Sequence, residues 1–150
     1  MKQAEIQDEV DQFIDRCREN GYRVTPQRVE IFKASLTRED HPDAHAIYED
    51  VSDRVPGISP DTVYRTLELL EDLGCIRRVN VLAGQVRFDT RPEDHHHFVC
   101  RSCGTIKDFD SKEADRISLP DDVQSFGEIE SVQIEVRGLC AECGEQQDAG

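Results

Sequence analysis

The sequence predicts an α+β protein built of two domains: an N-terminal winged helix-turn-helix over residues 1–90, then a small α/β domain over residues 91–150 with a four-cysteine zinc site. Three observations lead there. The first domain carries four helical stripes, the last three of them opened by a cap signal. Two short strand-like stretches follow directly after the fourth. In the C-terminal domain a pair of Cys-x-x-Cys motifs, Cys100/Cys103 and Cys140/Cys143, are separated by 36 residues.

Taken in order, Ile6, Val10, Phe13, Ile14 and Cys17 recur at helical spacing, and Gly21 can end that helix. Thr25-Pro26 reads as an N-cap followed by proline at the first helical position, with Val29, Phe32 and Leu36 as the apolar face. After a break at His41-Pro42, Asp43 caps a third helix whose stripe is Ala44, Ile47, Tyr48 and Val51, stopping near Pro56-Gly57. Ser59-Pro60 starts a fourth, buried through Val63, Leu67 and Leu70 and ended by Gly74. Its other face offers Asp61, Thr62, Tyr64 and Arg65. Strands over 76–82 and 85–89 around an Ala83-Gly84 turn complete the wing.

Pro92 marks a hinge over 90–93. Beyond it the sequence predicts a strand ending at Cys100, a knuckle, a strand over 105–109, a short helix from Ser111 limited by Pro120, and a strand in which Val132, Ile134 and Val136 alternate with polar residues. The tail after Cys143 is polar and reads as loose.

Two Cys-x-x-Cys pairs suit a closed tetrahedral zinc with no open position for chemistry. The histidines form a separate set. Alternate residues of a strand share a face, so His95 and His97 project together about 7 Å apart, with His96 pointing the other way. Imidazole and carboxylate donors suit iron, manganese or zinc better than calcium. Two metals are therefore expected, one holding the fold and one sensed.

At 150 residues each half has a modest core, for which a zinc staple and dimerisation are the usual remedies. No apolar run approaches a membrane span, and residues 1–9 are too polar for a signal peptide, so a cytoplasmic protein is expected. The net charge of −14 argues against indiscriminate nucleic-acid binding. It is spread over both halves: residues 1–90 hold 12 Lys and Arg against 18 Asp and Glu, and residues 91–150 hold 6 against 14. A DNA-facing surface must therefore be made by placement. Tyr64 and Arg65 are the candidates for base contacts, with Thr62 on the same face. Arg23 and Arg28, with Arg77, Arg78 and Arg87 from the wing, are candidates for the phosphate backbone.

Arg23-Val24-Thr25-Pro26-Gln27-Arg28, His41-Pro42, Thr62-Val63-Tyr64-Arg65 and Arg87-Phe88-Asp89, followed by the histidine-cysteine stretch and the second cysteine pair, together resemble the ferric uptake regulator superfamily. The likeness is greatest to its peroxide-responsive (PerR) branch. That resemblance implies a homodimeric repressor that binds double-stranded DNA with an inverted-repeat operator, its second domain pairing the subunits. The structural Zn2+ would fall on Cys100, Cys103, Cys140 and Cys143. A regulatory Fe2+ or Mn2+ would fall on His41, Asp89, His95, His97 and Asp108, with His41 and His95 open to iron-catalysed oxidation by peroxide. Asp89 and Asp108 favour the peroxide-responsive branch, since ferric- and zinc-uptake regulators more often use glutamate at some of these positions. Many relatives carry a histidine eight residues before the third zinc cysteine, where this chain has Val132, so no additional metal site is expected.

Blander readings compete at several positions. His45 and His96 read as surface residues, and Cys17 and Cys75 as core thiols. A ferric- or zinc-uptake type of repressor without peroxide sensing is one alternative. A zinc or dithiol enzyme is another, but neither Cys-x-x-Cys sits in a strand-helix context and no nucleophile or phosphate-binding motif accompanies them, so no enzyme is expected.

Overall fold

The computed structural model describes residues 1–80, 85–91 and 93–148. The chain divides into two compact units, Met1–Pro92 and Glu93–Gly150.

In the first unit the helices are α1 (Gln3–Glu19), α2 (Pro26–Leu36), α3 (Ala44–Ser52) and α4 (Pro60–Asp72). Each of the last three begins as the cap signals require. Thr25, Asp43 and Ser59 accept from the backbone N–H three residues on, at 3.2, 2.8 and 3.1 Å. Gly21 and Gly74 take φ of 75° and 73°, the left-handed turn that ends α1 and α4 without a Cβ clash. The stripes meet in one core: Val10, Phe13 and Cys17 of α1, Ile31 and Phe32 of α2, Ile47 and Val51 of α3, and Val63, Leu67 and Leu70 of α4. Phe13 and Phe32 pack edge to face with ring centroids 5.3 Å apart.

Strands β1 (Arg77–Asn80) and β2 (Val86–Asp89) pair antiparallel, Arg78 opposite Phe88, and Phe88 enters the core. The Ala83-Gly84 turn, Val81 and Leu82 at the end of the first expected strand, and the Pro92 hinge lie outside the described residues. Strand β2 also binds the loop before α3, with Phe88 N donating to the Pro42 carbonyl at 2.9 Å.

The second unit is a three-stranded sheet in the order β4 (Ile106–Phe109), β3 (His96–Cys100), β5 (Glu135–Gly138), with β3 antiparallel to β4 and parallel to β5. Helices α5 (Lys112–Asp115), α6 (Asp121–Phe126) and α7 (Ala141–Asp148) accompany it. Its buried hydrophobics among the described residues are Val99, Cys100, Ala114 and Cys143. That is a small core for such a unit, and two of the four are cysteines.

Two expectations here are corrected, and a third gains a helix that was not foreseen. The short helix expected from Ser111 is α5, which stops at Asp115 before Pro120 is reached, and Pro120 serves as N-cap of an unforeseen α6, whose first turn carries Asp121 and Asp122 against the positive end of the helix dipole. The tail is helical through Asp148, although it has no apolar stripe to announce it. The helix starts between the two cysteines of the second pair, with Gly144 N donating to Cys140 O at 2.9 Å. His96 is 1% exposed rather than a surface residue. Its Nδ1 accepts from Ile134 N at 3.1 Å and its Nε2 then donates to Asp115 Oδ1 at 3.0 Å, which fixes one neutral tautomer.

The last strand begins at Glu135, later than the alternation suggests. Val132 and Val136 remain exposed, as do Ile117, Phe126 and Ile129. Among the described residues no helix is long and apolar enough to cross a membrane.

Candidate metal centres

The four cysteines of the two pairs converge. Their Sγ atoms all lie within 4.8 Å of one another, and Cys103 and Cys140 are 3.8 Å apart. Ligands about 2.3 Å from one zinc stand about 3.8 Å apart at the corners of a tetrahedron, whereas a disulfide needs about 2.05 Å. The donor set therefore fits zinc. The sheet makes the convergence possible: β3 ends on Cys100, and its parallel neighbour β5 ends on Gly138, two residues before Cys140.

Backbone groups favour the ionised sulfurs. N–H groups of Cys103 and Cys140 directed at Cys100 bring its thiol down to about 6, Cys140 N lying 3.3 Å from the sulfur. The Thr105 hydroxyl, 3.1 Å from Cys103 Sγ, lowers that thiol too. Cys143 is pushed up to about 12, chiefly by its hydrogen bond with Cys140. Cys100 and Cys103 favour the thiolate and Cys143 resists it, and a dication relieves that conflict. Elsewhere burial raises Cys17 and Cys75, which agrees with core thiols, although Cys75 is only half-buried.

The histidine and carboxylate candidates form two sets, one in each unit. In the first unit His41 and Asp89 are both buried, with Nε2 to Oδ2 at 3.8 Å. His41 closes the loop before α3 and Asp89 ends β2. In the second unit His97 and Asp108 are paired across the β3–β4 ladder, Nε2 to Oδ1 3.4 Å, and His95 Nε2 is 3.6 Å from the same oxygen. The His95 and His97 rings converge to 4.6 Å between centroids, closer than the strand repeat alone predicts. Donor atoms of the three residues lie within 4.8 Å of one another.

His95 Nδ1 is 2.7 Å from the Glu93 carbonyl, which can only accept, so that nitrogen carries the proton. In the neutral ring the lone pair is then on Nε2, the atom turned towards Asp108. An imidazole lone pair facing a carboxylate oxygen calls for a cation, and a backbone carbonyl that sets the tautomer is a usual support of a metal-binding histidine.

On α4, Tyr64 is 55% exposed and lies opposite the buried Val63, Leu67 and Leu70. Arg65 is exposed and ion-paired one turn back with Asp61, Nε to Oδ2 3.0 Å. Thr62 Oγ1 is 2.9 Å from the Ser59 hydroxyl at the helix start. Arg23 is exposed, and the Arg28 guanidinium donates to its carbonyl. Two of the wing arginines have partners within the chain. Arg78 is held by Glu71 and lies over the Phe88 ring, and Arg87 donates to the Asp40 and His41 carbonyls. Sequence reasoning missed that use of Arg87 because its acceptors are 46 and 47 residues away.

The model of the ferric uptake regulator family matches residues 19–137. The peroxide-responsive repressor PerR of Staphylococcus epidermidis is 32% identical over 142 residues, covering 94% of each chain. Among solved structures, a zinc-bound manganese uptake regulator is 32% identical with a TM-score of 0.60, covering 84% of this chain and 96% of its own. The ferric uptake regulator of Helicobacter pylori has a TM-score of 0.75 at 20% identity, covering 93% of each chain, and shows the fold alone.

Proposed function

The chain belongs to the ferric uptake regulator family of metal-responsive transcriptional repressors, and from that premise we propose a homodimer whose hold on inverted-repeat DNA requires one divalent ion and is cancelled by peroxide. Zinc on Cys100, Cys103, Cys140 and Cys143 has the structural role. The regulatory Fe2+ or Mn2+ takes His41 and Asp89 from the first unit and His95, His97 and Asp108 from the second.

The observation that carries this reading is the trio of His95, just before β3, His97 on β3 and Asp108 on β4, where two imidazoles and a carboxylate aim their donors at one point and Glu93 fixes the His95 tautomer. Ligands drawn from both units would make metal binding a constraint on the angle between them. Recognition helices of a dimer must enter major grooves about 34 Å apart, so that angle governs affinity. The ion shifts the equilibrium only by preferring the competent form.

Tyr64 and Arg65 read bases, while Thr62, Arg23 and Arg28 position the backbone. The exposed Val132, Val136 and Phe126, with the edge strand β5, support pairing of the second unit with its copy. Ferrous iron, when bound, would supply the electron that opens the peroxide O–O bond and recover one from the ring, so that the two electrons lost overall are the imidazole's and the second peroxide oxygen leaves as water. The protein's role is to offer an imidazole ring, of His41 or His95, as acceptor of one oxygen atom. No turnover is proposed, because the four thiols converge as one closed set with none set apart as a redox dithiol. The protein would work in the cytoplasm, beside its DNA.

The test loads the zinc-containing protein with Fe2+ or Mn2+, follows binding to inverted-repeat DNA, adds peroxide and weighs the peptides containing His41 and His95. Metal-dependent binding, with one oxygen gained and DNA released only in the ferrous sample, is expected. Metal-dependent binding without that gain would leave an uptake-type repressor, and binding indifferent to added metal would remove the reading.

A further inference from the structure

His41 is the one non-glycine among the described residues with a positive φ, 51°, and it directly precedes Pro42. A Cβ makes that region costly, and a following proline steers its predecessor towards extended backbone. Such a conformation persists only where the surroundings over-determine it.

Here they do so from both sides. Three consecutive carbonyls, those of Asp40, His41 and Pro42, accept from two consecutive residues of β2. The Arg87 guanidinium donates to Asp40 O at 2.7 Å and to His41 O, and Phe88 N donates to Pro42 O at 2.9 Å. Arg38 grips the Asp40 carboxylate through both oxygens, at 3.0 and 2.7 Å, and reaches Asp50 of α3 at 2.9 Å. The next residue of β2 is Asp89, whose carboxylate stands 3.8 Å from His41 Nε2. One strand thus holds the backbone of one proposed ligand and supplies the next.

We propose that Arg87, with Arg38 bracing it through Asp40, is a positioning device that keeps His41 in its metal-ready pose. The two arginines then set the affinity for the regulatory ion without touching it. Cations beside a cation site bring no attraction of their own, so their contribution is geometric: a planar guanidinium holds two carbonyls in a fixed fork that the rotatable donors of an ammonium do not reproduce. This rests on the reading of His41 as a regulatory ligand.

The test titrates Mn2+ into the zinc-loaded full chain, following the free-ion EPR signal, for wild type, Arg87→Gln, Arg87→Lys, Arg38→Gln, His41→Ala and His41→Ala combined with Arg87→Gln. Loss of a residue that orients a ligand typically weakens binding about 10- to 100-fold. A loss in that range is expected for Arg87→Gln, smaller for Arg87→Lys, with zinc content unchanged. In the His41→Ala background Arg87→Gln should cost nothing more, because its effect passes through that imidazole. If Arg87→Gln does not fold, Arg38→Gln combined with His41→Ala reads the same coupling. Full Mn2+ affinity in the arginine variants alongside a weak His41→Ala would overturn the inference alone, as would an arginine effect that persists without His41. Full affinity in His41→Ala would overturn both the inference and the reading beneath it.

Discussion

Asp108 stands directly across the β3–β4 ladder from His97, and its Oδ1 lies between two imidazole nitrogens, 3.4 Å from His97 and 3.6 Å from His95. It is a short, exposed acid on an edge strand, so its removal should cost the sheet little. Asp108→Ala is expected to weaken Mn2+ binding by at least about tenfold while zinc content and melting without added manganese stay unchanged. A titration beside a melting curve checks this, and an unaltered Mn2+ affinity would count against Asp108 as a ligand.

Among its described residues the second unit buries few hydrophobic side chains, and its cysteines contribute two of them. A structural zinc supplies apparent free energies of about 10–16 kcal/mol in small domains at neutral pH, far more than such a core provides. Cys103→Ser replaces the exposed ligand of the four. The variant should lose zinc and its sheet together and elute as a monomer, while α1–α4 keep most of the helical circular dichroism. A zinc-free dimer with an intact sheet would show the metal to be dispensable.

Arg65 and Asp61 form an exposed pair on α4, with side chains 79% and 70% exposed. Such pairs contribute at most about 1 kcal/mol to stability, so neither Arg65→Ala nor Asp61→Ala should shift unfolding by more. On DNA they should part company. Loss of Arg65 is expected to cut discrimination between operator and scrambled sequence by about 1–3 kcal/mol with dimerisation intact. Loss of Asp61 frees a cation for phosphate, raising affinity for scrambled DNA and steepening its salt dependence. Gel shifts over a salt series separate these outcomes, and an Arg65→Ala variant with undiminished preference would remove α4 as the reading element.

Arg38 holds the Asp40 carboxyl below its ordinary value of 3.8, mainly through their hydrogen bonds. A depressed folded-state pKa contributes stability that is fully present above the unfolded value and is lost as pH falls through the folded one. The stability difference between wild type and Arg38→Gln should therefore be constant from neutral pH down to about 4 and should shrink below it. Urea unfolding at a series of pH values checks this. A difference that grows on acidification would mean another group dominates.

Much of the first unit was legible because its signals are local. A cap hydroxyl reaches three residues forward, a stripe repeats every three or four, and a glycine ends the turn it sits in, so Thr25, Asp43, Ser59 and Gly74 act as their neighbours in sequence foretell. The second unit was harder to read. The helix after Cys140 has no stripe, and Val132 and Val136 alternate like buried residues yet remain exposed in the single chain. Alternation records that a face is apolar without saying which partner covers it.

By itself the sequence determined where the four helices of the first unit lie, that four cysteines form one set, and that His95 and His97 project together. Only the tertiary structure decided that His96 is buried between Ile134 and Asp115, and that Arg87 serves the His41 loop. The physical reason is reach: periodicity and capping act within a few residues, whereas these hydrogen bonds join atoms whose proximity exists only after strands and loops have packed.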